Sequence, residues 1–98
     1  MGKKFYKNKA CKYHASLEIS NDGKRWTNIP TTTHPNRLRN YIKLNDPISK
    51  NQKKGSNTFI QKRIRDDPVC KRGKKVNYQL SKRDERLVDD VILKNKKH

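Results

Sequence analysis

Acidic residues are scarce in this chain. Nine Asp and Glu stand against 26 Lys and Arg in 98 residues, a formal net charge of +17, with a pI near 10.2. An imbalance of that size repels itself and is relieved by a polyanion, so RNA or another nucleic acid is the expected partner. Long apolar runs are also missing. No segment approaches the roughly 20 residues of a transmembrane helix or carries the apolar centre of a secretory signal. Nor does any basic segment show the long apolar face of a membrane-surface helix. A cytoplasmic protein without membrane contact is expected. Cysteine is limited to Cys11 and Cys70, expected as reduced thiols rather than a disulfide. Only 30% of residues are hydrophobic and the mean hydropathy is −1.30, a composition bordering on disorder. Folding must therefore be argued from pattern.

Pattern is present. Ala15, Leu17 and Ile19 alternate with Ser16, Glu18 and Ser20, the period of a half-buried strand. Asn21-Asp22-Gly23 follows, and Asp-Gly is a strong hairpin signal. The return strand spans 24–29, and Pro30 is expected to end it because proline cannot donate to a ladder. Residues 41–44, 58–64 and 76–80 read as further strands, with 65–75 as a loop and 47–57 as a long polar loop. At the end the period changes: Leu87, Val88, Val91 and Ile92 make one apolar stripe at helical spacing, and Ser81 with Asp84 suggests a capping box. Together these predict a mainly β fold with a C-terminal helix, a small β-barrel-like domain. Residues 1–12 are expected to be a basic, ragged N-terminal segment and 13–98 a single barrel domain.

The basic residues cluster. Between Lys50 and Lys75 there are ten Lys/Arg and two Asp, a local charge of +8, whereas four of the nine acids sit at Asp84, Glu85, Asp89 and Asp90. Phosphate contacts are expected from Lys12, Lys50, Lys53, Lys54, Lys62, Arg63, Arg65, Lys71, Arg72, Lys74 and Lys75. Tyr13, Trp26, Tyr41 and Tyr78 are the aromatics on which bases could stack, with core filling favoured for Trp26 and Tyr78. Cys11-x-x-His14, with His34 and Cys70 elsewhere, offers one close ligand pair where structural zinc prefers two. No metal or cofactor is expected.

The stretch "IPTTTHP", residues 29–35, gathers three threonines and His34 at the exit of the hairpin. His14 opens the first strand of that hairpin, and antiparallel pairing brings its start beside the other strand's end. Imidazole suits both proton transfers of metal-free RNA cleavage, and hydroxyl or cationic groups would stabilise the charged phosphorane. His14, Thr32 and His34 are the candidate catalytic residues. Surface histidines in a turn are the plainer alternative.

The order "YHASLEISNDGKRWTNIPTTTHP" resembles the central hairpin of PemK/MazF-type toxins, with Ile19-Ser20-Asn21 and Pro30-Thr31-Thr32 at its landmarks. "FIQKRIRDDP" and "YQLSKRDERLVDDVI" are similar to the family's later strand and C-terminal helix. The resemblance spans roughly residues 13–93. It implies an SH3-like barrel that cuts single-stranded RNA without metal, often as a homodimer, with an acidic antitoxin as partner. The family's catalytic threonine falls on Thr32. Its catalytic arginine falls on His14, a departure, and the N-terminal strand and substrate loop look shortened. A non-catalytic RNA- or DNA-binding module, ribosome-associated or from a mobile element, and a protein that docks an acidic partner remain the alternatives.

Overall fold

The computed structural model describes residues 4–12, 14–49 and 57–96. Seven strands and one helix follow in the order β1 (Phe5–Asn8), β2 (Ala15–Asn21), β3 (Arg25–Thr32), β4 (Tyr41–Lys43), β5 (Phe59–Gln61), β6 (Arg65–Pro68), β7 (Arg72–Val76) and α1 (Lys82–Lys96). All pairings are antiparallel, along the path β4-β5-β3-β2-β1-β7, with β6 also on β3. The path stays open, with β4 and β7 at its two ends. The fold is mainly β with one C-terminal helix. Among the described residues, no helix is long and apolar enough to cross a membrane.

The β2–β3 hairpin forms as its alternation predicts. Its loop holds Gly23 at φ +90°, and the Asp22 carboxylate accepts from the amides of Lys24 (2.8 Å) and Arg25 (2.7 Å). Glycine enters that left-handed region without steric cost. One face of the sheet carries Phe5, Ala15, Leu17 and Ile29, which pack with Leu44, Ile48, Ile60, Val88 and Val91. Each large apolar side chain fully buried there is worth about 1.5–3 kcal/mol.

Five expectations are corrected. The opening segment is not ragged: β1 lies between β2 and β7, with Phe5 fully buried. β3 does not stop at Pro30, which is buried and pairs with Ser16. Its missing N–H is tolerated because Pro30 falls where β3 changes partner, from β6 over residues 25–28 to β5 over 31–32. The strand expected over 58–64 ends at Gln61, and 65–75, expected as a loop, contains β6 and most of β7. Acidic Asp66 and Asp67 enter a strand because each has a cation: Arg25 at 3.2 Å and Arg65 at 2.9 Å. Residues 77–80 lie beyond the last strand, although Tyr78 and Leu80 still pack on the core.

The capping box is only half made. Ser81 Oγ accepts from the Asp84 amide at 3.3 Å. The Asp84 carboxylate, fully buried, instead accepts from the amides of Asn45 and Asp46 and from Asn45 Nδ2, all within 2.9 Å. Arg83 adds two hydrogen bonds of 2.8 Å to Asp46. The helix start is thereby tied to the turn after β4.

Candidate nucleic-acid interface

The end of β1, the start of β2 and the end of β3 meet at one rim of the sheet, as the registers Lys7↔Ala15 and Ser16↔Pro30 require. A cleft of about 280 Å³ opens there, lined by Lys7, His14, Ala15, Thr31, Thr32, Thr33, Ile48, Ser49, Thr58 and Tyr78. His14 is set by its backbone: its amide donates to the Cys11 carbonyl at 3.0 Å, and its carbonyl accepts from the Asn8 amide at 2.9 Å. Lys12, at φ 53°, makes the left-handed corner between them. Gly73 brings β7 against Lys7, since a Cβ there would lie 2.9 Å from the Lys7 carbonyl oxygen.

The three threonines divide their roles. Thr31 Oγ1 is buried and donates to the Ala15 carbonyl at 2.6 Å, locking the hairpin end. Thr32 Oγ1 accepts from the His34 amide at 3.1 Å, a bond that leaves its own proton available to a ligand. Thr33 Oγ1 lies 2.9 Å from His34 Nδ1. The structure therefore brings His14 and Thr32 together in the cleft. It turns His34 away, to Thr33 and outside the lining.

Among the described residues no acid lines the cleft, which is bordered by Lys7, His14 and threonines beside a partly apolar wall. Such a set can accept a phosphate. Lys7 was missed in the sequence because its strand was missed, although its two-residue spacing from Phe5 carries the signal. No family model matches the chain, and neither curated proteins nor solved structures give a match. The PemK/MazF likeness thus rests on the residues of the hairpin, the later strand and the helix alone.

The basic residues expected to meet phosphate separate into two kinds. Lys12, Lys62, Arg63, Lys71, Lys74 and Lys75 are exposed. Arg65 and Arg72 are tied down instead. Arg65 Nε donates to both oxygens of Asp67 at 2.9 Å, and Arg72 lies 3.6 Å from the centre of the Tyr6 ring and 3.4 Å from Glu18. Burial pushes the Asp67 carboxyl up, but hydrogen bonds from Asn28, Arg65 and Asn8 outweigh it and hold the group below its ordinary value. Lys50, Lys53, Lys54 and Tyr13 lie outside the described residues.

Among the aromatics, Trp26 is fully buried and meets Tyr6 edge-on at 6.4 Å. Tyr78 packs on Phe5 at 5.8 Å while also facing the cleft. Cys11 and Cys70 are free thiols, and burial raises the pKa of Cys11. No cluster of three or more His, Cys, Asp or Glu suited to a metal occurs among the described residues.

Proposed function

We propose that this protein binds single-stranded RNA, seats a backbone phosphate in the Lys7–His14–Thr32 cleft, and cleaves there without a metal. The observation that carries this reading is the cleft itself, whose lining includes Lys7, His14 and Thr32 and, among the described residues, no acid, on a chain of net charge +17. The resemblance of the hairpin to PemK/MazF-type toxins supports the same chemistry.

In the proposed step His14 takes the proton of the ribose 2′-hydroxyl, and the 2′-oxygen attacks phosphorus as the bond to the 5′-oxygen breaks. Lys7 protonates the leaving 5′-oxygen. The products are a 2′,3′-cyclic phosphate and a 5′-hydroxyl. Thr32 donates its hydroxyl proton to a non-bridging oxygen, whose charge grows in the transition state.

A second reading, a basic module that binds RNA without cutting it, is favoured by one feature. His34 is engaged with Thr33 outside the cleft, so among the described residues one imidazole lines it, where metal-free cleavage uses separate acid and base groups. Incubation of purified protein with mixed RNA in EDTA, followed by mapping of the ends, separates the two. Cyclic-phosphate ends that require a 2′-hydroxyl support cleavage. Intact RNA at every pH, with binding retained, leaves the module.

A further inference from the structure

We propose that the outward face of the β4–β5 ribbon is a stacking track for single-stranded RNA, leading from the cleft to a basic concavity beyond Gln61. This rests on the RNA-binding function proposed above and names the path that the strand takes.

The pairing register defines the face. Residues opposite one another in an antiparallel ladder point to the same side. Thr32 pairs with Phe59, Phe59 with Lys43, and Gln61 with Tyr41, so these five side chains share one face. Thr31, Ile60 and Ile42, paired in the same way, share the other, and Ile60 is fully buried. Phe59 and Tyr41, by contrast, are only half-buried, and Lys43 is exposed. Two partly exposed rings beside a lysine make a poor core and a good platform for bases. As diagonal neighbours they stand about 7–8 Å apart, near two base steps of a stacked strand at ~3.4 Å each.

Both ends of the track meet polar groups. Thr32 leads into the cleft, which Thr58 also lines. Gln61 lines a separate concavity of about 490 Å³ with Arg37, Arg39, Asn40, Lys62 and Arg63. Among the described residues, four cations and no acid line that space. The turn that displays Lys62 and Arg63 is held in place: the Lys62 amide donates to the Asn40 carbonyl at 3.0 Å. Asn95 of α1 donates to the Lys62 carbonyl at 3.0 Å and accepts from the Ile64 amide at 3.3 Å. From Thr58 to Gln61 is three residues of extended chain, about 10 Å. That span equals roughly three nucleotide steps, so a phosphate in the cleft and one in the concavity belong to the same short oligonucleotide.

Fluorescein-labelled 2′-O-methyl oligouridylates, which lack the attacking hydroxyl, test the path by anisotropy at low salt. Affinity of the unmodified protein should step up as the oligomer grows from about two to about five nucleotides. Phe59→Leu, which keeps apolar volume but loses the ring face, should weaken binding about 5- to 100-fold. Tyr41→Leu should act in the same direction and serves if the first variant folds poorly. Arg39→Glu with Arg63→Glu should remove the length step and lower the log–log salt slope by about 1 or more. Wild-type affinity, length step and slope in all these variants, with Lys7→Ala still weakened, would overturn the track while leaving the RNA-binding cleft standing. Absence of binding by the unmodified protein would remove both.

Discussion

Two polar regions lie on this one sheet, and they differ in what their polar groups face. Behind β1, β2, β3 and β6, Asn8, Ser16 and Asn28 are fully buried and Asp67 is nearly so. There Asn8 Nδ2 reaches Ser16 Oγ at 3.1 Å and Asn28 Oδ1 at 3.2 Å, and Asn28 Nδ2 reaches Asp67 at 3.0 Å. At the rim, Lys7, His14 and Thr32 face a cleft instead of one another. Polar residues that satisfy each other rigidify a core, since an unpaired buried group is costly. Polar groups left facing a cleft hold the fold weakly but can bind. The cluster that the structure seals is framework, and the open one is the candidate site.

Substitutions can break this contrast, and the largest expected effect is on activity. His14→Ala should lower the cleavage rate by roughly 10²–10⁴ while changing stability by no more than about 0.5 kcal/mol, as for an exposed side chain. Single-turnover kinetics on a defined RNA, paired with urea unfolding, checks both halves. Asp67→Ala should do the reverse. It removes the acceptor of buried Asn28 and Asn8, costing about 2–3 kcal/mol, with RNA affinity unchanged in a variant that still folds.

The pH dependence follows from the same carboxylates. Asp67 is held below its ordinary value, and Asp46 is lowered to about 2 by hydrogen bonds from Arg83 and Ser81. Their ionised forms are thus favoured by folding. That contribution is complete above the unfolded value of about 3.9 and is lost as pH falls through the folded values. Stability measured by urea titration should be flat from neutrality to about pH 5 and decline below about pH 4. A decline centred near pH 6 would point to histidine instead.

Smaller effects sharpen the contrast at the cleft. Gly73→Ala places a Cβ 2.9 Å from the Lys7 carbonyl and should cost about 1–3 kcal/mol by overpacking. Part of its effect should appear as weaker phosphate binding, because Lys7 must move. His34→Ala should be the mildest, within about 0.5 kcal/mol in stability and less than His14→Ala in rate. A rate loss equal to that of His14→Ala would return His34 to the site.

The hairpin and the helix were legible because both are local. Alternation, an Asp-Gly turn and an apolar stripe at helical spacing each act within a few residues. Less legible was β1, whose Phe5 and Tyr6 are flanked by lysines that hide the strand. β6 was hidden too, since Asp66-Asp67-Pro68 looks like a loop until Arg25 and Arg65 are beside it. Of the candidate site, the meeting of His14 with Thr32 followed from hairpin pairing. The turning away of His34, and the gathering of Arg37 and Arg39 with Lys62 and Arg63, did not.

By itself the sequence determined the net charge of +17, the β2–β3 hairpin and the C-terminal helix, because composition and short-range periodicity need no distant partner. Tertiary structure decided which polar groups are satisfied and which stay available. Asn8, Ser16, Asn28 and Asp67 come from four strands, and Lys7, His14, Thr32 and Thr58 from separate segments. Whether such groups pair or remain open depends on contacts across 8 to 59 residues of chain, and strand register sets those contacts.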